Sequence, residues 1–179
     1  MWLFIGQSLW FILPAGLANI ASSLSRYLPL PQWPVDAGKT WRGRRIFGDH
    51  KTWRGMIVGT VTGLATFWLQ QYLYQFDFFS TISLTDYSSE PWIFGLLLGA
   101  GSVMGDLIKS YFKRRVNIAP GQPWLPFDQI DFVVGALAAV SIVFFPGWGI
   151  AIFLLIFGFV LHISFNLLGY ILKLQKNKL

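Results

Sequence analysis

The chain has 179 residues, of which 54% are hydrophobic, 18% aromatic and 12% charged, with a net charge of +6 and a mean hydropathy of +0.53. A soluble domain carries about 25% charged residues, so this composition excludes an ordinary water-soluble globule. It also turns the positive balance into a signal of membrane-flanking loops rather than of nucleic acid. Cysteine is absent, which excludes disulfides and thiolate chemistry.

The first apolar run, residues 2–25, is long enough to cross a bilayer, and no basic residue precedes it. It reads as a retained span and not as a cleaved signal, which would begin with positive charge and end in small residues. Pro14 and Asn19 interrupt it, as a kink and an interhelical hydrogen bond would. Loop 26–55 follows, with seven basic and two acidic residues and a short repeat, Lys-Thr-Trp-Arg-Gly at 39–43 and again at 51–55. Each copy offers cations and a hydroxyl beside a glycine that lets a ligand approach the backbone. Gly38-Lys39-Thr40 looks like the tail of a phosphate-binding P-loop, but the glycine that motif needs five residues before Gly38 is Trp33, so the motif is excluded. Contact with anionic headgroups accounts for the loop's charge; it does not account for the repetition.

Four more apolar runs complete the chain, at about 56–74, 92–112, 130–145 and 148–172. Gly59 and Gly63 in the second, and Gly95, Gly99, Gly101 and Gly105 in the third, are spaced for close helix packing. The connection 76–90 carries Asp77, Asp86 and Glu90 and no basic residue, and Pro146-Gly147 forms a tight turn. Basic residues follow the first, third and fifth runs only. The positive-inside rule then allows one orientation. The expectation is an all-α integral membrane protein of the cell (inner) membrane, one domain over 1–179, with five transmembrane helices and the N-terminus outside. The C-terminus and the loops 26–55 and 113–129 are cytoplasmic. The lysines at 173, 176 and 178 read as headgroup anchors.

Gly105 to Asp131 carries most of the chemistry. Asp106 is the only charge at the end of an otherwise uncharged run, and such a carboxylate is costly unless paired, hydrated or bound to a cation. On a helix Asp106, Lys109 and Lys113 share a face, as do Asp128 and Asp131. Taken singly, each has a structural explanation. Asp106 pairs with Lys109 or with a basic residue of the first loop, and Asp128 and Asp131 serve as helix caps. Lys113, Arg114 and Arg115 mark topology. Asp36 and Asp49 form salt bridges within their loop, His50 is a loop side chain, and His162 bonds within the last span near Asn166. Taken together, Asp106, Asp128 and Asp131 at neighbouring helix ends form a divalent-cation site. Mg2+ is the natural occupant, because it is held by one or two carboxylates plus substrate phosphates. A carboxylate-held metal among many phosphate-reaching cations fits phosphoryl or nucleotidyl transfer, in which the substrate's own phosphate is the nucleophile.

Three blocks, residues 13–19, 34–55 and 105–136, resemble the CDP-archaeol synthases, which are related to the CDP-diacylglycerol synthases. The resemblance implies transfer of CMP from CTP to a lipid phosphate, giving CDP-lipid and pyrophosphate with Mg2+ at a cytoplasmic site in a five-span fold. It implies Asp106, Asp128 and Asp131 as catalytic and metal-holding residues and Lys109 as catalytic. Lys109, Lys113, Arg114 and Arg115 would face phosphates, and Lys51 and Arg54 the nucleotide side; Lys39 and Asn19, which matches a family position, are further candidate substrate contacts. The partners implied are CTP, a lipid phosphate and bilayer lipids, with no nucleic acid; the oligomeric state is left open. A CDP-alcohol phosphotransferase would need an Asp-Gly-x-x-Ala-Arg segment, which is absent. A transporter or ion-pathway protein would place charges deeper in the spans and show symmetry between halves. A purely structural scaffold leaves the repeat and the three aspartates unexplained.

Overall fold

The computed structural model describes residues 1–119 and 122–171. Helix α1 spans Trp2–Leu24 and runs on through a 3-10 turn at Ser25–Tyr27. A two-stranded hairpin follows, β1 at Thr40–Trp41 and β2 at Arg44–Arg45. Then come α2 (Trp53–Leu73), the short α3 (Asp77–Thr81), α4 (Ile93–Arg115), α5 (Phe127–Val140) and α6 (Trp148–Ile171). The side chains of His162 and Asn166, and Lys173, Lys176 and Lys178, lie outside the described residues.

Helices α1, α2 and α4 pack against one another, α5 lies along α4, and α6 covers α5 and part of α1. Pro14 has no N–H to give to the carbonyl of Trp10, one turn earlier. Gln70 of α2 supplies the missing donor, its Nε2 lying 2.6 Å from Trp10 O. The break that proline makes in α1 is thus repaired by a neighbouring helix. Glycines set the helix spacing. A Cβ on Gly59 would lie 2.9 Å from Ala18 O of α1, and one on Gly63 would collide with Gly99 of α4. Phe11, Phe67, Phe94, Tyr87 and Leu98 fill the centre, with Val133, Val140 and Leu154 on the α5–α6 side.

Large apolar side chains also face outward, among them Ile57, Val61, Trp68 and Leu69 on α2, and Ile152, Ile156 and Val160 on α6. A water-soluble monomer rarely exposes so continuous an apolar face. By length and composition two stretches among the described residues can cross a membrane, Trp2–Tyr27 and Ile93–Arg115, and Trp148–Leu161 is a shorter apolar helix. Helix α5 has 14 residues, about 21 Å, and spans 127–140 where 130–145 was expected. Its end is set at Ser141, and the turn expected at Pro146-Gly147 lies instead at 141–143, directly after the helix. Helix α3 and the hairpin had no counterpart in the expectation.

The two copies of Lys-Thr-Trp-Arg-Gly fold differently. In the first, Arg42 and Gly43 take φ of 51° and 75° and make the two-residue turn of the hairpin, a geometry that matches strand twist. In the second, Thr52 is extended and its Oγ1 accepts from Gly55 N at 3.2 Å, capping α2. The repeat is one of letters and not of structure.

Asp36 holds the first loop together. Its carboxylate accepts from the backbone N–H groups of Gly38 (3.1 Å), Phe47 (3.0 Å) and Gly48 (3.0 Å), and Arg45 Nη2 lies 2.6 Å away. Arg45 also pairs with Asp49, so the expected salt bridges are present. Burial opposes ionisation of Asp36, but Arg45 and the three backbone donors outweigh it and hold the carboxyl well below the usual carboxylate range. Its contribution is therefore complete above an ordinary carboxylate pKa of about 4 and is lost as the pH falls through the depressed value. Asp36→Asn should leave donors unpaired at about 1–3 kcal/mol each. We expect hydrogen exchange in residues 34–48 to accelerate at neutral pH in this variant. In the wild type the same acceleration should appear only in strong acid.

Candidate active site

The end of α4 and the start of α5 are drawn together by glycines. A Cβ on Gly105 would run into the Asp131 carbonyl, and one on Gly135 would run into the Gly101 carbonyl and lie 2.7 Å from Gly105 Cα. With no side chain between the backbones, Asp106 and Lys109 on α4 stand directly beside Asp128 and Asp131 on α5.

The result is a cluster centred on one ammonium. Lys109 Nζ lies 3.1 Å from Asp106 Oδ1, 2.9 Å from Asp128 Oδ1 and 2.5 Å from Asp131 Oδ2. Lys51, the residue before the α2 cap, pairs with the other oxygen of Asp106. Lys113 Nζ lies 2.9 Å from Asp128 Oδ2 and donates to Gln122 O at 2.5 Å. Asp128 also accepts from Trp124 N at 2.6 Å. This backward bond replaces the N-cap expected of Asp128, since α5 begins after Pro126 with no side-chain cap. Three carboxylates and three lysines cancel in formal charge. The side chains are mostly buried, Asp131 at 6% exposure and Lys109 at 14%, where an unpaired charge would be costly.

Among the described residues no three Asp, Glu or His side chains are set out around a metal position. The expected metal triad, Asp106, Asp128 and Asp131, does converge, but on Lys109. Its chemistry still fits a hard divalent ion. The donors are all carboxylate oxygens on two adjoining helices, few enough that substrate phosphates would complete the shell.

Three spaces meet at this cluster. A polar cleft of about 530 Å³ is lined by Arg44, Arg45, Phe47 and Gly48 of the loop and by Lys109, Ser110, Lys113 and Arg114 of α4. A smaller polar cleft of about 210 Å³ lies on the other side of Lys51, among Ser22, Ser25, Arg26, Thr52, Arg54 and Asp106. An apolar groove of about 570 Å³ runs along α4 and α5 past Ile108, Phe112, Trp124, Phe127, Ile130 and Val134, and Lys109 and Asp131 are part of its lining. Lys109 lines both the larger cleft and the groove, whereas Lys51 and His50 line both clefts.

The other residues expected at the site divide. Lys113 and Arg114 border the larger cleft and Arg54 the smaller. Arg54 also ties down the loop, its Nη1 donating to Leu28 O (3.0 Å) and Leu30 O (2.7 Å). Arg115 does not face phosphates as expected, because the hairpin carbonyls need donors. It gives Nη1 to Trp41 O (2.7 Å) and Nη2 to Arg45 O (2.8 Å). Arg44 answers by donating to Arg115 O at 2.8 Å, one of the carbonyls that a helix end leaves free. Lys39 is exposed on the hairpin and Asn19 half-buried on α1; neither lines any of the three spaces. The sequence reading missed Arg44, Arg45 and Ser110 in the larger cleft, Ser22 and Ser25 in the smaller, and the whole groove. The groove had a signal. Gly105, Ile108 and Phe112, and Phe127, Ile130, Val134 and Ala138, follow helical spacing on single faces.

Helix α4 ends in a way that shapes the larger cleft. Asn117 takes a φ of 63° and Ile118 N donates back to Lys113 O at 3.0 Å, a left-handed cap that turns the chain sharply after the last basic turn.

Known proteins similar to this chain are of one kind. A family model described as CarS-like CDP-archaeol synthase matches residues 1–178. The CDP-archaeol synthase of Pyrococcus furiosus is 38% identical over 93% of this chain and 93% of its own. That of Methanopyrus kandleri is 38% identical over 98% of this chain and 94% of its own, and that of Methanocaldococcus jannaschii 34% over 94% and 93%. A solved structure, described as an intramembrane enzyme for archaeal membrane lipid biosynthesis, superposes with a TM-score of 0.72. It is 27% identical and covers 89% of this chain and 92% of that one.

Proposed function

Since the chain belongs to the CDP-archaeol synthase family, membrane enzymes that carry out CTP-dependent cytidylyl transfer to a lipid phosphate, we propose that the Lys109 cluster is where that transfer occurs here. One observation carries the reading. A polar cleft rich in cations and an apolar groove meet at a single ammonium, as a reaction between a soluble nucleotide and a lipid phosphate requires.

In this mechanism CTP lies in the clefts with its phosphates toward Lys51, Lys109, Lys113 and Arg114, and the lipid lies along the groove with its phosphate where the groove and the larger cleft meet. An oxygen of the lipid phosphate attacks the α-phosphorus of CTP. The bond from that phosphorus to the bridging oxygen breaks, and pyrophosphate leaves with the bonding pair. The nucleophile is already an anion, so no side-chain base is needed, and the protein's part is to position and to neutralise. A divalent cation, with Mg2+ the natural candidate, would be held by Asp106, Asp128 and Asp131 and would offset charge on the phosphates. Lys109 and Lys51 keep the two phosphates in register, and the close α4–α5 seam excludes water behind them.

We further propose five passes, with the N-terminus outside and the site at the cytoplasmic face. In support, both basic loops lie at one end of the bundle, joined by the Arg115–hairpin and Lys51–Asp106 contacts. Helix α5 would then span only with its flanking residues.

Turnover by purified protein in detergent tests the reading, with labelled CTP, Mg2+ and a panel of ether-linked and diacyl lipid phosphates. CDP-lipid and pyrophosphate in equal amounts are expected, and the preferred lipid decides between archaeol-type and diacylglycerol-type acceptors. Absence of both products from folded protein with every lipid would reject the reading. Lys51→Ala should raise KM for CTP by about tenfold or more, the worth of one charge-assisted hydrogen bond, and move that for the lipid much less. The opposite pattern would assign Lys51 to the lipid.

A further inference from the structure

We propose that Lys109 is a built-in stand-in for the divalent cation. Its ammonium holds the three carboxylates together and keeps metal out until nucleotide phosphates draw the side chain away. Metal would then bind with the nucleotide and not before it. The inference rests on the reading of Asp106, Asp128 and Asp131 as the metal-holding set.

Geometry singles out this lysine. Lys51 reaches only Asp106 and Lys113 only Asp128, whereas Lys109 touches all three carboxylates, at 3.1, 2.9 and 2.5 Å. Its nitrogen therefore stands at the point that an ion shared by these carboxylates would take. A metal ion cannot share that point with an ammonium, because like charges in a mostly buried site repel strongly.

Charge balance makes the exchange conditional. As it stands the cluster is neutral, with three carboxylates against Lys51, Lys109 and Lys113. A divalent ion arriving alone would add two positive charges and leave the displaced ammonium without a partner at 14% exposure, and both changes are unfavourable. Phosphates remove both objections. Lys109 already lines the larger polar cleft beside Lys113 and Arg114, so a short swing takes its ammonium from carboxylate oxygens to phosphate oxygens. The phosphates bring the negative charge that the metal needs. Lys109 is on this account a positioning residue for metal entry as well as a phosphate contact, and its removal should uncouple the two ligands.

The test measures metal binding and not turnover. Labelled Mn2+ is equilibrated by dialysis with the full chain in detergent, with and without CTP, using the wild type and Lys109→Met, which keeps an unbranched apolar stem and removes the charge. Without CTP, we expect the variant to bind Mn2+ at least about tenfold more tightly than the wild type, as removal of one adjacent positive charge requires. With CTP, we expect wild-type protein to retain Mn2+ beyond what CTP alone holds. A folded variant that binds Mn2+ no better than wild type, while CTP still recruits Mn2+ to the wild type, overturns the role of Lys109 and leaves the metal reading intact. If CTP recruits no Mn2+ to the wild type, the metal reading falls and this inference with it. Melting of the wild type supplies an arm that needs no variant. Mn2+ without nucleotide should leave Tm unchanged, and a rise in Tm would overturn the inference.

Discussion

Gly135→Ala is expected to lower turnover about a hundredfold, whereas Gly16→Ala, the same chemical change inside α1, should leave the rate unaltered and raise the melting temperature slightly. Nothing lies within 4 Å of a Cβ built on Gly16. At Gly135 the new methyl collides with the Gly101 carbonyl and meets the Gly105 backbone at 2.7–2.8 Å, and backbone has no rotamer with which to yield. The seam between α4 and α5 must open. Overpacking of this kind costs about 1–3 kcal/mol, partly offset by the gain of about 1 kcal/mol that alanine brings to a helix. Stability therefore falls by up to about 2 kcal/mol, and geometry changes much. Asp128 and Asp131 move with α5 while Asp106 and Lys109 stay with α4, and a misplacement of about 1 Å costs about a hundredfold in rate. Specific activity and Tm measured side by side check this. A Gly135→Ala enzyme at wild-type rate would mean that the seam does not set the site's geometry.

Asp131→Asn should lower kcat by at least about 10³-fold, at the upper end of what removing one electrostatic partner does in an enzyme site. The substitution preserves shape, so packing is not its cause. It removes the carboxylate closest to Lys109, 2.5 Å away, and the most buried of the three. The cluster is left with one net positive charge, and the amide's single oxygen cannot accept from both Lys109 and the Phe132 N–H, which now occupy the two carboxylate oxygens. Asp77→Asn, on exposed α3 and remote from the cluster, should change kcat by less than about twofold. Equal losses in both would point to misfolding. A small loss in Asp131→Asn would remove Asp131 from the reaction.

Much of this site was legible in the sequence because helical spacing and charge are local. Asp106, Lys109 and Lys113 share a face by arithmetic alone, and so do Asp128 and Asp131. The lone carboxylate at the end of an apolar run announced that it needed a partner. What spacing cannot tell is which partner. Asp106 takes both of those considered, Lys109 from its own helix and Lys51 from the first loop. The three aspartates converge, but on a lysine, since three residues of one sign on adjoining helices say nothing about a fourth that fills the gap between them. The loops misled for a different reason. Arg115 carries the same charge as Arg114, but it ends α4 beneath the hairpin, and three carbonyls there claim it. The repeat misled because the same five letters are bent by different flanks. Arg45 and Asp36 close a hairpin around the first copy, whereas an apolar run after the second draws it into α2.

The groove along α4 and α5 sets the units in which the lipid substrate should be counted. Its walls are apolar from Trp124 and Phe127 down to Val134 and Ala138, and Ile108, Phe112 and Phe127 are each about half exposed on the outside of the bundle. With the bundle placed in the membrane as proposed, a ligand of that groove arrives sideways within the bilayer plane and never passes through water. Occupancy then follows the mole fraction of lipid phosphate in the membrane or micelle and not its amount per litre. Adding detergent at constant total lipid should slow the enzyme, and adding micelles of unchanged composition should not. On the proposed reading CTP enters through the polar clefts and obeys ordinary bulk concentration, so the two substrates of one reaction are governed by different dimensions of space.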